Sequence, residues 1–279
     1  MNGYQRINAI LSSELRSNAN LHIIGESLAL APDTTGLQGK HPEQVHLLPV
    51  ADNAMLGVAI GMAFAGKKVV LNLSGPQSLW SIIPQLGEEI SNVGREFPLA
   101  ITIRVPVAPN ETVQLQSVLG LEGICVAAPS SATQASMMLQ AALQTTTPTI
   151  LLEDRMLLLD QVEEQDHGDL ASAVCVRSGE DTSLLVWGNG VKTALEVAEE
   201  LQQEGVSVEV IDVRVLHPLD ETNLSHSIQK TGRPILVNAP SSMMNTIVNG
   251  AFWRLENQPQ NISANSEEMR EAIFKSLRY

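Results

Sequence analysis

A chain of 279 residues is long enough for one large domain or two medium ones, each able to bury a core. Hydrophobic residues make up 44% and charged residues 17%, which excludes a disordered chain. Aromatics reach only 3%, so Leu, Val, Ile, Ala and Met must build the core. With 17 basic against 31 acidic side chains the formal charge is −14, which argues against nucleic acid, whose backbone is met by Lys and Arg.

The first 20 residues, MNGYQRINAILSSELRSNAN, are polar with a helical pattern and contain no basic-then-apolar signal segment. Strand-like runs follow at 21–26 (LHIIGE), 45–50 (VHLLPV), 68–74 (KVVLNLS), 98–107 (PLAITIRVPV), 123–129 (GICVAAP) and 148–154 (PTILLED). Helix-period segments lie among them at 54–65, 77–93 and 131–144, the last with Ser130 or Ser131 as N-cap. The strands are continuously apolar rather than alternating, the signature of a parallel sheet covered on both faces and hence of an α/β domain.

Residues 156–180 are acidic, contain glycine and break this rhythm, so they read as a linker with one strand at 172–177. Beyond them the pattern resumes with strands at 183–190, 206–216 and 234–240, helices at 191–204 and 219–230, and two terminal helices. The expected organisation is therefore two α/β domains with parallel or mixed sheets, at 1–155 and 181–279. No run approaches the roughly 18–20 apolar residues of a membrane span, so a cytoplasmic protein is expected. Cys125 and Cys175 sit in apolar strand-like surroundings and read as buried thiols rather than a disulfide. The histidines (His22, His41, His46, His167, His217 and His226) show no metal-ligand spacing.

The stretch 49–61, PVADNAMLGVAIG, is the one that bears on chemistry. After Asp52 the segment is apolar on every face, which predicts a central, buried helix. Gly57 and Gly61, four apart, clear one stripe for the close approach of another backbone, at about 1 kcal/mol each in helix propensity. Asp52 reads in two ways, as a helix N-cap or as a carboxylate facing a ligand nitrogen at the mouth of a buried helix.

The segment HLLPVADNAMLGVAIGMAFAGKKVV resembles the Pro-Ile-Ser-Glu, Gly-x-Ala-x-Gly and Ala-Gly-x-x-Pro-Val run of the β subunits of thiamine-diphosphate-dependent 2-oxo acid dehydrogenases, in the transketolase-like superfamily. LHIIGESLA is similar to that family's Gly-Glu-Asp strand end, and LEGICVAAPSSATQASMMLQAALQTTTPTILLED to its Pro-Gly-Leu-x-Val-x-x-Pro segment. Residues 183–240 are similar to its C-terminal domain. The resemblance covers roughly residues 4–255 and implies a pyrimidine-binding domain followed by a transketolase C-terminal-like domain.

In that family thiamine diphosphate lies between two subunits, and a β-subunit Glu presents its carboxylate to the aminopyrimidine ring. The resemblance places Asp52 at that Glu, one methylene shorter. It places Gln114 of VQLQS (113–117) at a catalytic His, and Glu26 and Gln85 beside the cofactor. The aromatic loop that stacks on the pyrimidine corresponds to LNLSGPQSL (71–79), which has no aromatic before Trp80. The chain lacks the Gly-Asp-Gly…Asn-Asn signature for diphosphate and magnesium, so those are expected on an α-type partner in an α2β2 assembly. The implied reaction decarboxylates a 2-oxo acid and hands the acyl or ketol unit on, to a lipoyl or other acyl carrier. Two alternatives stay open: a non-catalytic structural partner with a degenerate pyrimidine site, and the C-terminal half of a split transketolase, which would set Arg104 against a phosphate.

Overall fold

The computed structural model describes residues 1–279 except 27, 93–95, 110, 112, 164–168 and 279, and only the backbone of 242. His167 and part of the expected linker lie outside the described residues. The chain divides into two compact units, Met1–Leu170 and Ala171–Tyr279.

The first unit runs α1 (Gly3–Ser17), β1 (Leu21–Gly25), α2 (Leu37–Lys40), β2 (Val45–Leu47), α3 (Asp52–Phe64), β3 (Lys68–Asn72), α4 (Pro76–Gln85), β4 (Ile101–Val107), α5 (Leu115–Leu119), β5 (Cys125–Ala127), α6 (Ala132–Gln144) and β6 (Thr149–Asp154). Six of its strands pair in parallel in the order β5-β6-β4-β3-β1-β2. Their central residues, among them Ile23, Ile24, Val70, Leu71, Ile103, Val126 and Ile150, are buried, as a sheet covered on both faces requires. Local signals set the helix starts. Asn2 and Gln5 close a capping box on α1, and Ser131 accepts from the Gln134 amide at the start of α6, worth about 1 kcal/mol. The chain leaves β1 toward β2 on one side and leaves β3 toward β4 on the other, so the order reverses between β1 and β3. In open α/β sheets ligands bind outside the carboxyl ends of the strands at such a reversal.

The second unit runs β7 (Val174–Arg177), β8 (Thr182–Val186), α7 (Gly190–Gln203), β9 (Val208–Asp212), β10 (Val215–His217), α8 (Glu221–Thr231), β11 (Pro234–Val237), α9 (Ser241–Ala251), β12 (Gln260–Ile262) and α10 (Ser266–Ser276). Its sheet has the order β12-β11-β8-β9-β7, with β7 antiparallel to β9 and the other pairs parallel. Val186, Val191, Val197, Leu201, Val210 and Ile235 belong to its core.

Four expectations need correction. The single strand foreseen over 206–216 is two, because Arg214 adopts a left-handed backbone (φ 55°) between them. The strand β12 interrupts the two terminal helices; its sequence, QNI, is too short and polar for a periodicity to show. Cys125 is buried and its thiol is pushed up to about 11 by burial, but Cys175 is exposed, because β7 is an edge strand. Finally, α3 is not buried on every side. Met55, Leu56, Ala59, Ile60 and Ala63 face inward, while Val58 and Phe64 stand 44% and 54% exposed and Gly61 is open. A helix lying on a sheet can bury one face only, so an all-apolar sequence leaves the other facing outward.

Candidate functional site

Asp52 is the first residue of α3, the helix that follows β2 and packs on β3 and β1. The cap reading fails: Ala51 holds the N-cap position and makes no side-chain cap bond. The Asp52 carboxylate instead accepts from the Ser81 hydroxyl on α4, Oγ to Oδ2 3.0 Å. The same Oγ is 2.8 Å from the Ser78 carbonyl oxygen. A hydroxyl has one proton, so Ser81 serves either acceptor, and an ionised Asp52 is the stronger one. A negative charge in the first turn of α3 also complements the helix dipole. Among the described residues, Oδ1 of Asp52 makes no hydrogen bond.

The α4 side of the site is polar and partly unsatisfied. Gln85 ends α4, and the chain continues as a π-helical stretch over Leu86–Ser91, with Pro84 removing one backbone donor just before it. Gln85 Nε2 donates to Glu89 Oε2 (3.1 Å), while Gln85 Oε1 is buried with no partner among the described residues. A Cβ at Gly57 would meet Gln85 Nε2 at 3.6 Å, an ordinary van der Waals contact, so the amide lies beside α3 without requiring the glycine. Trp80 is half-buried, with an unpartnered indole nitrogen.

Glu26 follows β1 and belongs to a different group. It lines a cavity of about 300 Å³ with Tyr4, Asp33, Asn72, Arg104, Glu153 and Arg155. Asp52 is not among the cavity's lining residues. Arg104, on β4, is 2% exposed and donates through Nε and Nη2 to the two oxygens of Glu153 on β6, at 3.0 and 2.6 Å. Nη2 also lies 2.6 Å from Asp33 Oδ2. Burial alone would lower the Arg104 guanidinium, but Glu153 and Asp33 outweigh it and hold the charge firmly. Burial pushes the Glu153 carboxyl up, against the pull of Arg104 and with that of Asp33. Nε and Nη2 of Arg104 are committed in this way, and Nη1 has no partner among the described residues.

A hydrogen-bonded seam links the two groups. Ser74 and Ser78 hydroxyls are 2.7 Å apart, Arg155 Nη2 donates to the Ser74 carbonyl (2.9 Å), and the Tyr4 hydroxyl donates to the Arg155 carbonyl (3.2 Å). Ser78, Ser74 and Arg155 form one polar line, which Ser81 joins only when its single proton goes to the Ser78 carbonyl rather than to Asp52. Gln114 stands apart from these contacts: it is exposed and occupies the N-cap position of α5 without a side-chain cap bond.

The serines went unremarked in the sequence, although Ser74, Ser78 and Ser81 recur at i, i+4 and i+7, one stripe of a helix entry. The structure also stacks His22 on His46, ring centroids 5.4 Å apart and Nδ1 to Nε2 3.1 Å, a pair invisible across 24 residues of sequence.

Residues 171–250 match the family model described as the transketolase C-terminal domain. The pyruvate dehydrogenase E1 component subunit beta of Staphylococcus epidermidis is 30% identical over 253 residues, covering 84% of this chain and 78% of that protein. The chain belongs to this E1 β-subunit family. Its counterpart from Acholeplasma laidlawii is 26% identical over 285 residues, covering 91% and 86% of the two chains. In fold, a split-gene transketolase solved as an inactive β4 tetramer superposes with a TM-score of 0.86 at 17% identity, covering 99% of this chain and 98% of that one. The E1 β assignment makes this a transketolase-like β subunit of the thiamine-diphosphate-dependent class. No helix among the described residues is long and apolar enough to cross a membrane.

Proposed function

We propose that this chain is the catalytic β subunit of a two-subunit 2-oxo acid decarboxylating enzyme, with Asp52 as the carboxylate that meets the aminopyrimidine of thiamine diphosphate. The observation that carries the reading is the state of Asp52 at the start of α3: one oxygen is held by Ser81, and the other is unbonded among the described residues. The residues present fit the group. The Asp52 carboxylate, with one oxygen unbonded among the described residues, would offer a hydrogen-bond acceptor to an amino-substituted ring.

When bound, thiamine diphosphate supplies the carbanion chemistry that cleaves the oxo acid. This chain's part is orientation and charge. Asp52 would hold a negative charge toward a ring nitrogen of the group and so favour protonation there at neutral pH. Ser81 keeps that carboxylate in one rotamer, which offsets in precision what the shorter side chain loses in reach. Gln85 positions the exocyclic amine. Gln114 donates hydrogen bonds where a histidine would exchange protons, and Glu26 is assigned to the cofactor's surroundings through the family resemblance. The diphosphate and its magnesium fall to an α-type partner, and the exposed apolar face of α3, with Val58, Gly61 and Phe64, is compatible with such an assembly.

Co-expression with the α-type partner and mass analysis of the bound cofactor test the assembly. In that complex Asp52→Ala should leave assembly intact and lower 2-oxo acid decarboxylation by about 100-fold or more. Undiminished turnover would remove Asp52 from the reaction and leave a scaffold role.

A further inference from the structure

Buried side-chain atoms with no partner among the described residues include Nη1 of Arg104, Oε2 of Glu26, Oδ1 of Asn72 and Nε2 of His22. His22 Nε2 differs from the others, because an imidazole nitrogen is a donor or an acceptor according to its tautomer. Its burial therefore bears on where the protons of the His22–His46 pair reside. His22 lies on β1 and His46 on the edge strand β2, in a parallel ladder that sets Ile24 against His46. Nδ1 of His22 is 3.1 Å from Nε2 of His46, the ring centroids are 5.4 Å apart and the planes differ by 14°. The centroid distance exceeds the nitrogen distance by two ring radii. The nitrogens thus face each other on the line between the ring centres and share one proton in an N–H···N hydrogen bond.

Two further positions can carry a proton, Nε2 of His22 and Nδ1 of His46. A proton on the first would be a buried N–H with no acceptor, which is costly. Lys67, from the turn before β3, sets its charge against that proton, while the Lys68 ammonium at the start of β3 donates to the Leu143 carbonyl. Among the described residues no carboxylate acts on His22 to offset them. His46 Nδ1 is not enclosed in this way. The neutral pair therefore has one favoured arrangement, with Nδ1–H on both rings and His22 donating to His46.

We propose that the His22–His46 bond is an acid-released latch on the strand that leads into α3. A third proton finds no place in the closed pair except His22 Nε2, so its uptake breaks the bond. His46, half-buried on the edge strand, then turns away as the imidazolium, and His22 stays neutral. Free imidazoles take up a proton below about pH 6.5, so the closed pair is favoured above that value and the opened one below it. The latch matters through its place in the chain. β2 has only three residues and pairs on one side, and the Leu48 N–H still bonds the Gly25 carbonyl (3.0 Å) shortly before the chain enters α3 at Asp52. Opening the ring bond leaves this segment with one side-chain tie fewer. Its bearing on catalysis rests on the reading of Asp52; the latch itself does not.

The test is imidazole nitrogen NMR and amide hydrogen exchange on the purified full-length chain without thiamine diphosphate, so that failure here leaves the decarboxylase reading untouched. At about pH 7.5, where free imidazoles are neutral, both rings are expected as the Nδ1–H tautomer, with a coupling across the N–H···N bond. By about pH 5.5 that coupling should vanish as His46 takes up a proton. Exchange of the Leu48 amide, corrected for its intrinsic pH dependence, should rise about three- to fivefold over the same range. His46→Gln offers an acceptor that does not titrate, and should hold Leu48 exchange flat. The proposal is overturned if His22 is the Nε2–H tautomer, if the coupling survives protonation of His46, if Leu48 exchange stays flat while His46 titrates, or if a folded His46→Gln shows the same rise. Should that variant not fold, the NMR and exchange series on the unaltered chain decides.

Discussion

Each unit buries a glutamate on a parallel strand, and the two are satisfied in different ways. In the second unit Glu209 on β9 accepts at Oε2 from the hydroxyls of Ser183 (2.9 Å) and Ser227, and at Oε1 from Lys230 (3.3 Å). Thr231 completes the hydroxyl cluster through Ser183 at 2.8 Å. No atom of this group is left over. In the first unit Glu153 takes two bonds from Arg104, but the same guanidinium is shared with Asp33 and keeps an unpartnered Nη1 beside an open cavity. The first cluster is closed among the described residues, and the second leaves one donor of its cation unmet. The contrast shows why burial of a charge does not by itself mark a site.

The largest effect that sharpens this contrast should come from Arg104→Met. Removing the cation leaves two buried carboxylates against each other, and urea unfolding should show a loss of about 3–5 kcal/mol. A loss well below that range would mean that the two carboxylates take up a proton once the cation is gone. Glu209→Gln should cost less, about 1–3 kcal/mol, because the hydroxyls keep an acceptor and only the charge is lost. It should leave cofactor binding by the assembled enzyme unchanged, which thermal melts and cofactor mass analysis on one preparation check together.

The smallest effect is a pH dependence at the His22–His46 stack. Burial lowers the His22 imidazole from its ordinary value of 6.5, and His46 and Lys67 add to the shift. The folded chain therefore binds fewer protons than the unfolded one as pH falls below about 6.5, so stability is full above that value and declines toward the lower folded pKa. The decline should stay under about 1 kcal/mol, because the rings are only half-buried and screened by solvent. His46→Asn should flatten this slope in melting temperature between about pH 7 and pH 5, where His titrates. A slope identical to that of the unaltered chain would assign the pH dependence elsewhere.

Asp52 illustrates how far one residue can be read. Its place before a small-residue apolar helix was plain from PVADNAMLGVAIG. Its role as a cap was not settled by that pattern, since any Asp at a helix start matches both readings. The partner that decided, Ser81, lies 29 residues away. Arg104 and Glu153 were visible only as polar residues inside apolar runs, and their pairing follows from the β4–β6 register that sets Arg104 opposite Leu151, two residues from Glu153. The exposed face of α3 was misread for a related reason: composition reports what a helix can bury, and the neighbours decide which side does so.

By itself the sequence determined the order of strands and helices, the parallel character of the sheets and the family, because apolar runs, caps and long motif matches are local and survive without a partner. Tertiary structure alone decided which polar atoms are left unpaired, at Arg104, Glu26, Asn72 and Gln85, and which are closed off, at Glu209. Hydrogen-bond satisfaction is a property of groups brought together across strands and helices, and no spacing along the chain records it.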